Sequence, residues 1–444
     1  MVSMRLHRLT TLLVANHRQL ASQANFNLYK IGLNSIRASS SCCNHNSKSF
    51  QHQPKSQKFI QNARTFSASL LQPEVAALYT HEEARFRSIE EDRVLAQPIP
   101  STQRAAVFYE FGGQYRLEEI PIPEIGPDDV LVKVIYSGVC HTDLHVWLGD
   151  FPLEAKEMPI VGGHEGAGIV VKVGSNVTNF KVGDRAGIKW VNGSCLTCEQ
   201  CKQGNEPNCN DVVLSGFHRD GSFQQYAAVK ATEAAKIHDG IDLVNVSPIL
   251  CAGVTVYKAI KESNVKAGQT LAITGAGGGL GSLCIQYAKA MGLQVLAIDV
   301  GEKEDHCRHF GADMFIDPFD TPNLVSDIQM MTEGGPHGVI NIATAVKPME
   351  DSTHYVRTRG TVVLVALPRE AKVPVDVFWT VVRAITVKGS YVGSRQDTDE
   401  ALKFLQRGLV NIPVQVLPLE ELSNVFEKMH SNKITGRVVL DLWK

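Results

Sequence analysis

Long apolar runs are missing from the 444-residue sequence. Stretches such as Thr361 to Leu367 fall well short of the roughly 20 residues that a membrane-spanning helix needs, so no membrane span is expected. Net charge is nearly absent as well. A formal balance of −2 gives no general attraction for nucleic acid or for an acidic membrane surface, and neither is expected as a partner. There is no repeat of solenoid period, which excludes a stacked-repeat architecture. With no secretory leader, the ten cysteines point to metal or catalytic use rather than to a disulfide framework. Hydrophobic residues at 44% and charged residues at 20% describe an ordinary globular protein, and the length allows two or three full-sized domains.

One absence is local. Residues 1–73 contain no Asp or Glu but nine Lys and Arg, from Arg5 to Arg64. Leu6, Leu9, Leu13 and Leu20 share one helical face, with Arg5, Arg8 and Arg18 away from it, which makes a basic amphipathic helix. Such a segment is expected to be a mitochondrial transit peptide that directs the protein to the matrix; a basic tail kept in the cytosol is the alternative. Arg64-Thr65-Phe66-Ser67 resembles a matrix-processing site that would leave Ser67 as the new terminus. Residues 1–66 are thus read as leader and 67–100 as a lead-in without assigned chemistry.

From Arg104 onward, short strand-like runs such as "AAVFYE" and "LVKVIYSGV" are punctuated by Pro and Gly, which predicts a β-rich domain. After about residue 253 the rhythm changes. Apolar runs at Thr270 to Thr274, Gln294 to Asp299, Met314 to Asp317, Gly338 to Ala343, Thr361 to Leu367 and Ile385 to Val392 alternate with helical stretches at Leu280 to Met291 and Leu324 to Met331. That alternation predicts a parallel sheet covered on both faces.

Within the second region, "TLAITGAGGGLGS" joins a strand to a helix through Gly275, Gly277, Gly278, Gly279 and Gly281. Small residues let a backbone approach a pyrophosphate, and the helix N-terminus offers unpaired N–H groups to it. The spacing departs from G-x-G-x-x-G. Asp299, at the end of the next strand, supplies the carboxylate that would bind ribose hydroxyls and repel a 2′-phosphate, so NAD is expected rather than NADP.

Two metal patterns stand in the β-rich part. Cys195, Cys198, Cys201 and Cys209 follow the pattern C-x2-C-x2-C-x7-C, which can close a tetrahedral zinc site; an iron–sulfur cluster is the competing reading. Cys140, His164 and Cys251 form a Cys2His set, a combination that leaves zinc one open position. Two Zn2+ per subunit are therefore expected. Cys284 and Cys307 are read as packing residues.

The motifs "YSGVCHTDLH", "VGGHEGAG", "NGSCLTCEQC", "DGSFQQYA", "ILCAGVTVYKA" and "GLGS" together resemble the zinc-dependent medium-chain alcohol dehydrogenases, and most closely the fungal tetrameric ethanol-active branch. The resemblance runs from about Arg104 to the end. It implies an α/β fold: a GroES-like catalytic domain over residues 101–252 and 392–444, and a Rossmann domain with a doubly wound parallel sheet over 253–391. It implies NAD-linked interconversion of a small primary alcohol and its aldehyde, by a homotetramer. Sorbitol or another polyol is the nearest alternative substrate.

The same resemblance assigns roles. Cys140, His164 and Cys251 would hold the catalytic zinc, Asp143 would orient His164, and Glu165 would sit beside the metal. Thr142, then the cofactor ribose, then His145 at the solvent edge would relay the substrate proton outward. His141 and Arg437 would face the pyrophosphate, Thr255 and Leu280 the nicotinamide, and Lys303 would join Asp299 among the cofactor-binding residues. Trp190, Phe151 and Leu367 would wall a narrow substrate pocket.

Overall fold

The computed structural model describes residues 97–444 apart from Asn432 and Thr435. The expected transit peptide, its processing site at Arg64 to Ser67 and nearly all of the lead-in lie outside the described residues.

Among the described residues, the strand Asp129–Val139 is the axis of the β-rich lobe. Nine of its eleven residues are buried, as its near-continuous apolar character requires. Along one edge it pairs antiparallel with Glu165–Val173. Along the other, Asp129 to Lys133 pair with Tyr226–Lys230, and Tyr136 to Val139 pair with Arg437–Asp441. Further out, Arg185–Ile188 and Ala235–Lys236 extend one side, and Val414–Pro418 the other. A three-stranded sheet of Arg116–Pro121, Thr102–Phe108 and Ile160–Val161 covers part of this lobe's core.

The second lobe holds six parallel strands in the spatial order Met314–Ile316, Gln294–Ile298, Thr270–Thr274, Gly338–Asn341, Thr361–Leu364, Thr386–Gly389. The strand order reverses between the third and fourth of these, which is where doubly wound sheets bind nucleotides. Leu271 and Ile273 face one core cluster while Ala272 faces another, so both sheet faces are covered, as the strand pattern predicts. The predicted fold class holds.

Two details differ from the sequence expectation. The run Thr361 to Leu367 is strand only to Leu364, because the N–H groups of Val365 and Ala366 both turn to the Asn341 carbonyl and the chain leaves the sheet. The segment Leu243–Ser263 is a helical run long and apolar enough to cross a membrane, contrary to the expectation that no such run exists. Its apolarity has an internal cause. The segment is largely buried, packing its first part on the β-rich lobe and its last part on the parallel sheet, so almost no face is left for polar residues. It thereby joins the two lobes through one continuous core.

Candidate active site

Strand register gathers the first cluster. Gly138 is paired with Glu165 and Val139 with Val438, so Cys140, His164, Glu165 and Arg437 collect at the same end of three neighbouring strands. Cys140 sits at the start of the helix His141–Leu148. Asp143, in the first turn, accepts the Cys140 N–H at 2.9 Å through one oxygen and the His164 Nδ1–H at 2.6 Å through the other. The fourth member arrives from the joining helix. Directly after Pro248, which has no N–H to donate, that helix widens into a π turn over Ile249–Gly253, and Cys251 projects from it. The Cys140 and Cys251 sulfurs are 3.9 Å apart, and ligand atoms of Cys140, His164, Glu165 and Cys251 all lie within 4.8 Å of one another.

The chemistry of this cluster fits a divalent cation. His164 Nε2 is buried with no hydrogen-bond partner, although its Nδ1 is fully engaged. A buried orphan of this kind is rare unless it serves a ligand. Cys140 and Cys251 share an S–H contact that holds the Cys140 thiol well below the usual range and the Cys251 thiol well above it. Zinc would displace that shared proton and take both sulfurs as thiolates. Burial alone would lower His164, but Asp143 overcomes this and raises it.

Burial pushes the Glu165 carboxyl up to about 8, although Arg437 Nη2 donates to both of its oxygens at 2.5 Å. A Cβ on Gly138 would lie 1.9 Å from Glu165 Oε2, so only glycine leaves room for this carboxylate beneath Cys140. Sequence reasoning missed that constraint. Arg437, expected at the pyrophosphate, has its guanidinium on Glu165, while its stem approaches the glycine turn closely enough to crowd a Cβ at Gly279. One side chain therefore touches both the cation cluster and the nucleotide turn.

The four-cysteine lobe is a separate cluster. Backbone N–H groups point at its sulfurs: Cys198 N to Cys195 Sγ at 3.3 Å, Cys195 N to Cys209 Sγ at 3.4 Å, and Cys201 N to Cys198 Sγ at 3.5 Å. Donors at Thr197 and Cys198 bring Cys195 down to about 6, while burial pushes Cys201 up to about 12. All four sulfurs lie within 4.8 Å of one another, the arrangement a single tetrahedral ion requires. Cys284 and Cys307 are fully buried in the core between the lobes.

At the switch point, Gly275 has φ 69° and a Cβ on Gly281 would lie 2.4 Å from the Gly275 and Ala276 carbonyl oxygens. The turn through Gly277 and Gly278 opens the helix Gly279–Ala290, with Leu280 half-buried. Asp299 accepts the N–H groups of Gly277 and Val300, each at 2.8 Å, and lies 3.4 Å from Lys303 Nζ. It therefore fixes the turn. Thr255 is buried on the joining helix, and His141 is exposed.

The pocket wall is aromatic. Trp190 stands edge-on to His164 at 5.0 Å between ring centres and 6.2 Å from Phe151. Its indole N–H donates to the Tyr391 hydroxyl at 2.6 Å, a lock that no sequence motif signalled. Leu367 does not complete the wall. It is 64% exposed, because the chain has left the sheet three residues earlier. Thr142 and His145 lie one helical turn apart, and the Thr142 hydroxyl has no hydrogen-bond partner among the described residues. His145 Nδ1 is 2.9 Å from Asp150, a partner the sequence reading did not identify.

Comparison with known proteins agrees with this geometry. Residues 126–239 match the alcohol dehydrogenase GroES-like domain, and residues 279–407 match the zinc-binding dehydrogenase domain. The chain is 53% identical over 343 residues to alcohol dehydrogenase 1 of Caenorhabditis elegans, covering 77% of this chain and 98% of the relative. The structure resembles the alcohol dehydrogenase of Aeropyrum pernix, with a TM-score of 0.70 at 27% identity over 76% of this chain and all of the other. It also resembles an acetophenone reductase of Geotrichum candidum in complex with NAD, with a TM-score of 0.67 at 27% identity over 78% of this chain and 99% of the other. With its glycine turn and Asp299 suited to NAD and its two thiolate-rich clusters suited to zinc, the chain belongs to the zinc-dependent medium-chain alcohol dehydrogenase family.

Proposed function

We propose that the enzyme interconverts short primary alcohols and their aldehydes. The observation that carries this reading is the Trp190 ring, held by Tyr391 and set against His164, which leaves little width beside the cation cluster. The exposed Leu367 leaves the outer part of the pocket less confined, which favours tolerance of longer chains. Cys140, His164 and Cys251 would hold a zinc ion, which would supply a Lewis acid for the alcohol oxygen, and the glycine turn would hold NAD, which would supply the hydride acceptor.

The chain's own residues do the rest. Asp143 holds His164 with Nε2 toward the cluster, and Trp190 excludes water from that side. The Thr142 hydroxyl is free to hydrogen-bond the substrate hydroxyl, and His145, whose side chain is 30% exposed, is placed to release the substrate's proton to solvent. Arg437 donates to both oxygens of Glu165 and so fixes that side chain beside the cluster.

Steady-state oxidation of ethanol, longer primary alcohols and sorbitol with NAD and with NADP tests the substrate reading. The highest kcat/KM is expected for a short primary alcohol with NAD. A preference for sorbitol would overturn it.

The motif resemblance to the fungal branch further supports a homotetramer, and the acid-free leader supports import into the mitochondrial matrix. Protein isolated from cells is then expected to begin near Ser67. A cytosolic protein retaining Met1 would contradict import.

A further inference from the structure

The helix His141–Leu148 ends at Gly149, whose φ of 72° turns the chain back on itself. The N–H of Asp150 then bonds to the His145 carbonyl at 3.0 Å, which folds residue 150 over the last helical turn. As a result the Asp150 carboxylate meets His145 Nδ1 at 2.9 Å. Its second oxygen is 3.6 Å from Arg369 Nη1, on the chain that follows the strand Thr361–Leu364 of the other lobe. Asp150 is only 18% exposed, and Phe151 packs its ring 6.2 Å from the imidazole.

An ionised carboxylate only accepts hydrogen bonds, so the proton of a neutral His145 ring belongs on Nδ1. That leaves Nε2 as the nitrogen able to take a proton. We propose that Asp150 is the positioning residue of the proton relay, setting the tautomer and orientation of His145 so that Nε2 is the nitrogen that accepts the substrate's proton. In that step Nε2 takes up the proton that the alcohol loses as it is oxidised. The ring becomes an imidazolium, Asp150 stays ionised and offsets the new charge, and Nε2 then gives its proton to water. The inference rests on the reading of His145 as the proton acceptor. Arg369 is the cationic neighbour that the Asp150 charge also serves, and His141 is a titratable neighbour of His145 itself.

The test is the single-turnover rate of alcohol oxidation with saturating NAD at pH 7, measured for Asp150→Ala, Asp150→Asn, His145→Gln and the His145→Gln/Asp150→Ala pair. A positioned general base contributes about 10²-fold or more, and loss of its orienting partner is expected to forfeit about tenfold of that. Asp150→Ala should therefore slow the step about tenfold, leave KM for NAD unchanged and respond to added imidazole buffer. Asp150→Asn, which is isosteric and keeps an acceptor oxygen, should fall between Asp150→Ala and wild type. In the His145→Gln background Asp150→Ala should have no further effect. Equal losses in both backgrounds, or a wild-type rate for Asp150→Ala alongside a slow His145→Gln, would overturn the role of Asp150 while leaving the relay intact. A wild-type rate for His145→Gln would overturn the relay and this inference together.

Discussion

Replacing Cys251 with serine is expected to leave a folded protein in which alcohol oxidation has fallen by about 10³-fold or more. Polarisation of the substrate oxygen by a metal is worth several kcal/mol, and each 1.36 kcal/mol is a factor of ten in rate. Serine is nearly the size of cysteine and can keep a hydrogen bond toward Cys140, so the π turn of the joining helix stays filled and its polar group satisfied. What serine cannot do near neutral pH is act as the second thiolate. The loss should therefore appear in turnover, with the unfolding free energy from denaturant titration within about 1–2 kcal/mol of wild type. A Cys251→Ser protein with full activity would show that the cluster is structural.

Cys198→Ser is expected to act the other way, on stability more than on chemistry. The four-cysteine loop has little apolar core of its own: Cys195 and Cys198 are only partly buried, and the neighbouring Leu196 is exposed. Closed four-ligand zinc sites contribute on the order of 10 kcal/mol to folding in small zinc peptides, and the share lost with one ligand is a large part of that.

The loop is also tied into the rest of the fold. Buried Glu206 accepts the Arg395 N–H at 2.5 Å, and Ser194 donates to the buried Glu233 at 2.7 Å. A melted loop takes Glu206 away from Arg395 and leaves the buried Glu233 with Lys189, 3.7 Å away, in place of its Ser194 hydrogen bond. A fall in Tm of roughly 10 °C or more is expected, given about 2–4 °C per kcal/mol for domains of this size. Molecules that stay folded at low temperature should keep most of their turnover. A wild-type Tm in this variant, or a visible iron–sulfur absorption in the native protein, would contradict the closed zinc site.

How much of this was legible in the sequence depends on how local each feature is. The strand Thr270–Thr274 and the helix Leu324–Met331 read with their observed limits, because a buried strand and an amphipathic helix each declare their period within a few residues. The four-cysteine loop reads for the same reason. The helix Leu243–Ser263 did not, because Asn245, Ser247, Pro248, Thr255 and Lys258 break its apolar run, and its double-sided burial depends on both lobes.

The cation cluster falls between these cases. Its residue types were visible, but their meeting depends on the Gly138 to Glu165 register, and Arg437 reaches Glu165 from 272 positions away. Leu367, placed in the pocket wall by resemblance and in the strand by its apolar run, fits neither, because the carbonyl of Asn341 draws the chain out of the sheet before that residue is reached. Asp150 was hidden because its role comes from the left-handed Gly149 turn.

The most direct test of the open metal site is the visible spectrum of the cobalt-substituted enzyme, titrated with a short primary alcohol. If Cys140, His164 and Cys251 hold one ion with a free position and the four cysteines hold another without one, wild type should show cobalt–thiolate bands of which one part shifts with alcohol. Cys251→Ser should lose that responsive part and keep the rest. A wild-type spectrum that does not move with alcohol, or one that responds equally in Cys251→Ser, would contradict the assignment of the reaction to this cluster.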